Sequence, residues 1–330
     1  MKRNISLDIA RGLSIVLIVL SHTPFGYSYL FDFFYVQVFF FLSGVFIKSS
    51  HTVENSLYKK VKALIYPYLF FAVISSIAVL MLGRNTIDGI HLYDPDSFDN
   101  GPLWFLIALF TLNIMFLLLN ELPQYVRFCM LWVIFGVCYY LGLNGIDDYT
   151  DITKAGISLP ILLAGNYYLK IEPFFRKYRY VICLLSILLC ALFIWVIPVH
   201  IGIRWMKLPD NILLYLLASF SGIAFILSIS CIVESILILR KSLSFLGGYS
   251  LFILCMHWPI IRMLYDKAHI SNNNIIAFAG CSYLPFGIVF IKCNITFGGY
   301  TKKSTKSKKL FGVAKFHTRF SKKQRDYIKI

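Results

Sequence analysis

The chain has 330 residues, 58% of them hydrophobic and 15% charged, with a formal net charge of +16. Soluble domains are about 45–50% apolar and about a quarter charged, so this composition excludes a soluble enzyme or binding module and indicates a polytopic membrane protein. Eight cysteines without a CxxC pair imply neither a redox motif nor a disulfide framework.

A membrane-crossing helix needs roughly 20 mostly apolar residues, and only helices or closed barrels satisfy the backbone in lipid. Apolar runs accordingly predict an all-α fold of about ten transmembrane helices, at 5–24, 30–47, 64–83, 102–120, 126–144, 155–170, 180–198, 212–234, 243–264 and 275–291. Residues 1–291 form one transmembrane domain on this reading, and 292–330 a separate basic tail. No small-residue cleavage site follows the first run, so it reads as a retained helix and not a signal peptide.

That first run carries Asp8, Arg11 and His22. Eleven residues make almost three helical turns, so Arg11 and His22 share a face about 16 Å apart along the axis. Asp8, three residues before Arg11, meets it on the same stripe. Ionisable groups inside a spanning helix usually face a polar cavity or a partner. A histidine suits a base near neutral pH, and a guanidinium fork suits phosphate oxygens. The pattern predicts a path with Arg11, held by Asp8, at one end and His22 as base at the other. In the plainer alternative, Asp8 and Arg11 snorkel to the interface and His22 caps the helix.

Ser43 and Gly44 lie in the second run, where small residues let helices approach; a supporting part in catalysis is the alternative reading. Lys59 and Lys62 precede the third run, and Tyr66, Pro67 and Tyr68 set its entry. Trp104 opens the fourth at an interface, as a belt aromatic or as a stacking platform for a ligand. His257, in the ninth run, lies at about the depth of His22 and reads either as a residue bonded between helices or as a functional contact, to a substrate or to an oxyanion. Two histidines are too few for a zinc site, and no metal is expected.

Lys and Arg set orientation. With the N-terminus inside, the inner segments hold thirteen of them and the outer loops six, while Asp88, Asp94, Asp96, Asp99, Asp147, Asp148 and Asp151 fall outside. Both termini are then cytoplasmic. The tail, 302–329, has eleven Lys or Arg and one acid, which suits anionic membrane lipid; nothing resembling a nucleic-acid-binding fold accompanies it.

RNISLDIARGLSIVLIVLSHT at 3–23 resembles the first helix of the integral-membrane acyltransferase-3 family, in which a basic residue and a histidine are separated by ten residues, as Arg11 and His22 are. FFFLSGVFIK at 39–48 is similar to its aromatic–Ser–Gly segment. LYKKVKALIYPY at 57–68 resembles its basic element, with Lys59 and Lys62 where arginines are usual; lysine binds phosphate as a point charge without the bidentate fork. GPLWFLIALF at 101–110 resembles the branch of fucose 4-O-acetylase-like proteins, and GGYSLFILCMHWPI at 247–260 the late helix that ends in His-x-Pro.

The resemblance implies O-acyl transfer, usually acetyl, from acetyl-CoA to a hydroxyl of a surface polysaccharide or lipid-linked sugar, in a bacterial inner membrane. It places donor phosphates near Arg11, Lys59 and Lys62, no permanent cofactor, and His22 as base or as a transient acyl carrier. The rival is a flippase or exporter of lipid-linked oligosaccharides, which would show repeats or paired broken helices.

Overall fold

The computed structural model describes residues 4–23, 27–47, 53–146 and 150–268. Among them there is no β-strand, only an isolated antiparallel bridge between Gly202 and Lys207. The helices are α1 (Ile5–Ser21), α2 (Tyr35–Val45), α3 (Val53–Lys60), α4 (Tyr66–Met81), α5 (Trp104–Asn120), α6 (Gln124–Leu143), α7 (Ile152–Lys177), α8 (Arg179–Ala191), α9 (Ile212–Val233), α10 (Leu237–Gly248) and α11 (Ser250–Ala268). The all-helical expectation holds.

The expected number of spans is reached only in part. Five segments are long and apolar enough to cross a membrane: Glu54–Met81, Gly101–Asn120, Gln124–Leu143, Arg179–Val196 and Ile212–Val233. A sixth is added if α10 and α11, bent by 77° at their junction, count as one broken span. Helix α1 has 17 residues and α2 has 11, because turns and a 3₁₀ segment take up much of 28–34. Helix α7 has 26 residues but carries Lys154, Lys170 and Glu172, with Pro160 and Pro173 inside it. The predicted tenth run, 275–291, and the basic tail, 292–330, lie outside the described residues.

Three boundaries differ from the sequence reading. The third run begins early: α3 continues through a π-helical turn, Val61–Ile65, into α4. Lys59 and Lys62 are therefore on a continuous helical segment and not in a loop. Asp151, assigned to an outer loop, forms a buried ion pair of 2.6 Å with Lys154 at the start of α7. The run at 243–264 is split at Gly248 and Tyr249, a break that hydropathy does not register because the stretch stays apolar.

The packing follows membrane rules. Leu184, Leu185 and Leu188 of α8 are exposed, an apolar wall suited to acyl chains and too wide for a water-soluble monomer. Inside the bundle, with lipid as apolar as leucine, close backbone approach holds helices together. Helix α1 packs mainly on α10, and α2 on α7. A Cβ on Gly12 would collide with the carbonyl of Leu243, and one on Gly247 with the carbonyl of Asp8. Gly44 and Gly165 do the same at the α2–α7 crossing, against the carbonyls of Leu162 and Phe41.

Charged side chains collect at the helix ends. On the face that holds Asn4, Arg176 bonds Glu172 and Glu234 at 2.8 Å each and Ser6 at 3.1 Å, while Asn4 bonds Glu172 at 2.8 Å. One guanidinium fork thus joins the start of α1 to the ends of α7 and α9, the antiparallel arrangement that the charge alternation requires. The opposite face carries His22 and the pairs Arg84–Asp99, Arg262–Asp99 and His200–Asp32.

Gly247→Ala should lower stability by about 1–3 kcal/mol, the usual cost of forcing an extra carbon into a filled contact. Gly248→Ala and Gly136→Ala should be tolerated, since nothing lies within 4 Å of a Cβ at either position. Thermal unfolding of the three variants in one detergent measures the difference.

Candidate active site

The site begins with the way α1 ends. The last carbonyls of a helix lack amide partners, and Ser21, His22 and Thr23 supply them. The amide of His22 turns to the carbonyl of Val19 at 3.1 Å, and that of Thr23 to Leu20 at 3.2 Å. The carbonyl of Ile18, left without its usual partner, accepts from Ser21 Oγ and from His22 Nδ1, each at 2.8 Å. His22 is therefore a cap, as the plainer alternative had it. The cap also has a chemical consequence. A carbonyl only accepts, so Nδ1 carries the proton and Nε2 of the neutral ring keeps its lone pair.

His257 repeats the device on α11. Its Nδ1 faces the carbonyls of Ile253 at 3.1 Å and Leu254 at 2.8 Å. Its ring is fully buried, and no described residue bonds its Nε2. The two imidazoles meet edge to face, with centroids 5.0 Å apart. Trp258 flanks His22 at 5.3 Å, and the Arg262 guanidinium lies 5.9 Å from the Trp258 ring. Arg262 in turn shares Asp99 with Arg84.

Asn100 fixes the height of this helix segment. Pro259 has no amide hydrogen, so the carbonyl of Cys255 has no donor one turn on. Asn100 Nδ2 donates to that carbonyl at 3.1 Å and to Ser75 Oγ at 2.9 Å. Arg204, from the loop before α9, bonds Asp96 and stacks 4.6 Å from the Trp205 ring. Its guanidinium fills the space that a Cβ on Gly101 would take.

The remaining candidates are dispersed. Arg11 lies on the His22 stripe, with its guanidinium 3.8 Å from Asp8 and 4.1 Å from the Phe46 ring centroid. Lys59 and Lys62 have exposed side chains on the segment that packs against α5. Ser43 and Asn113 bond each other at 3.0 Å, and Gly44 is a backbone contact with α7. Trp104 is half-buried, with the ammonium of Lys154 5.9 Å from its ring. The structure thus joins His22 to His257 directly and places Ser43 and Gly44 in helix packing.

Sequence reasoning missed Trp258, Asn100, Arg204 and Arg262. Pro259 within an apolar helix was a usable signal: it announces a carbonyl in need of a donor. It does not say which residue, 150 or more positions away, supplies one. Among the described residues no group of three metal-binding side chains stands together.

The sequence matches a protein-family model described as an acyltransferase domain, over residues 4–293. No curated protein and no solved structure matches the chain.

Asn100→Ala should cost about 1–3 kcal/mol, the penalty for leaving a buried carbonyl without a donor. Pro259→Ala restores an amide to the same carbonyl. The Asn100 substitution should therefore cost less in a Pro259→Ala background, with a coupling of about 0.5–3 kcal/mol. A double-mutant cycle on thermal or denaturant unfolding reads that coupling.

Proposed function

Because the chain belongs to the acyltransferase-3 family, we propose that it is a membrane O-acyltransferase carrying an acetyl group from acetyl-CoA to a hydroxyl of a polysaccharide or lipid-linked sugar. The observation that carries the reading is the 2.8 Å contact between His22 Nδ1 and the carbonyl of Ile18, which leaves Nε2 to act as a base at the end of α1. The resemblance to fucose 4-O-acetylase-like proteins in 101–110 supports a carbohydrate acceptor.

His22 Nε2 takes the proton of the acceptor hydroxyl as its oxygen attacks the thioester carbonyl. The tetrahedral intermediate collapses, the carbon–sulfur bond breaks, and the thiolate takes the proton back from His22. Products are the ester and the free thiol, and the base is regenerated. Near the other end of the stripe, Arg11 holds phosphates of the donor, supported by Asp8 and assisted by Lys59 and Lys62. The roughly 16 Å between Arg11 and His22 suits an extended pantetheine arm. We place the Asn4 face in the cytoplasm of a bacterial cell, with coenzyme A, and the basic tail on anionic lipid. No observation favours the flippase reading.

Two measurements test this. His22→Ala should retain the membrane-inserted fold and lose about 10²–10⁴-fold in transfer of labelled acetyl to glycan acceptors, the usual worth of a general base. Wild-type turnover in a well-expressed His22→Ala protein would refute the assignment. Arg11→Ala should weaken coenzyme A binding about tenfold or more, since a charge-assisted hydrogen bond is worth about 1.5–3 kcal/mol. Affinity measured in nanodiscs reads this directly; an unchanged value would move the donor elsewhere.

A further inference from the structure

One hydrogen bond does not by itself fix the His22 ring. The Ile18 carbonyl that accepts from Nδ1 also accepts from Ser21 Oγ, and that hydroxyl lies 3.2 Å from Nδ1. The torsion that turns an imidazole on its Cβ is broad and roughly two-fold. A half-turn would exchange Nδ1 with Cδ2 and Nε2 with Cε1. Ser21 would still satisfy the carbonyl, so the end of α1 tolerates either orientation.

Two neighbouring rings do not. His257 and Trp258, consecutive on α11, lie 5.0 Å and 5.3 Å from His22 between centroids, inclined by 71° and 75°. Both are edge-to-face contacts, within the roughly 4.5–7 Å at which aromatic pairs attract. A ring in contact with two others has to displace them to make a half-turn. These two are themselves tied down. His257 is fully buried, with Nδ1 on carbonyls of its own helix. Asn100 holds the carbonyl of Cys255, two residues earlier. Arg262, whose guanidinium lies 5.9 Å from the Trp258 ring, bonds Asp99. Adjacent residues of the outer loop thus brace α11 before and after the ring pair.

We propose that His257 and Trp258 are positioning residues for the base: their rings bar the half-turn of the His22 imidazole and so keep Nδ1 on the Ile18 carbonyl and Nε2 in one place. They act through His22 and need touch no substrate. What His22 then does rests on the acyl-transfer reading; the orientation of its ring does not. Side chains whose rotamers are locked by packing hold a reacting atom where it must be, and a small misplacement of such an atom costs up to about 10²-fold in rate.

Nitrogen-15 histidine spectra of the full-length protein in nanodiscs test the orientation, and they need no acceptor. The His22 signals are those lost in His22→Ala, and in the wild type they should show one state with the proton on Nδ1. His257→Asn keeps a donor for the α11 carbonyls and removes the ring; Trp258→Leu removes the other ring at a half-buried position. Each should give His22 a mixture of tautomers. His257→Phe returns a ring and should restore the single state. Monodisperse elution in detergent checks that each variant folds. Kinetics supply the second readout, with labelled acetyl-CoA and methyl fucoside as the acceptor probe. His257→Asn should lower kcat about 10–100-fold and leave the KM for acetyl-CoA unchanged. In a His22→Ala background it should cost nothing further, because residues that act as a unit are not additive. A single Nδ1-protonated state of His22 in both His257→Asn and Trp258→Leu would overturn the proposal. So would an equal loss of rate from His257→Asn with and without His22, the mark of a purely structural role. Failure of the underlying reading shows separately, as wild-type transfer by His22→Ala beside unchanged spectral results.

Discussion

The antiparallel contact between α1 and α10 governs the rest of the molecule. Gly12 and Gly247 let the two backbones touch, Gly12 against the carbonyl of Leu243 and Gly247 against that of Asp8. Close approach of this kind replaces the hydrophobic drive that lipid removes. With α10 seated on α1, the chain turns by 77° at Gly248 and Tyr249 into α11. That turn brings α11 alongside the upper part of α1, where its ring partner His257 reaches His22. A shift of one turn along the α1–α10 contact would carry His257 about 5.4 Å from its place and separate the imidazoles. The glycines therefore act on the chemistry from a distance, through register.

The bundle solves its electrostatic problem by sorting. Arg176, Glu172, Glu234 and Asn4 tie one face together, and Arg84, Arg262, Asp99, Arg204 and Asp96 occupy the other. Between them the helices are largely apolar. The stripe of α1 crosses that interval with an arginine near one face and a histidine near the other. The buried pair Asp151–Lys154 is the departure from this sorting. It lies 5.9 Å from the Trp104 ring, so that aromatic is part of a packed, charged corner and not a bare belt residue.

Much of this was readable in the residues because it depends on helical period. Arg11 and His22 follow from an eleven-residue spacing, and the depth of His257 follows from counting along an apolar run. The Arg176 knot joins the start of α1 to the ends of α7 and α9, an antiparallel order compatible with the alternation of Lys and Arg along the chain. What stayed hidden has one physical cause: hydropathy averages over composition and is blind to direction. It merged α10 with α11 across Gly248 and Tyr249, and it began the third span late because Lys59 and Lys62 are polar although helical. Asn100 and Arg204 were invisible for another reason. Their partners, Cys255 and Gly101, are fixed by tertiary contact, and one sequence contains no record of which loop meets which helix.

The absence of a carboxylate beside His22 among the described residues has a mechanistic meaning. In hydrolytic triads a carboxylate orients the imidazole and steadies its charged form. Here Ile18 performs the orienting with its carbonyl, which fixes the tautomer but brings no full negative charge. Such a base gains less help in holding a proton. It suits a reaction whose electrophile is already activated, and a thioester, with a good leaving group, is one. It suits less well the cleavage of an amide, where the leaving nitrogen must be protonated by a strongly supported acid. The same backbone orientation at His257 leaves a second ring neutral at the same depth. Under the proposed function, the donor's phosphates fall to Arg11, some three turns away on the same helix. The end-capping residues of α1 thus fix the tautomer of His22, and with it the nitrogen left to meet a reacting hydroxyl.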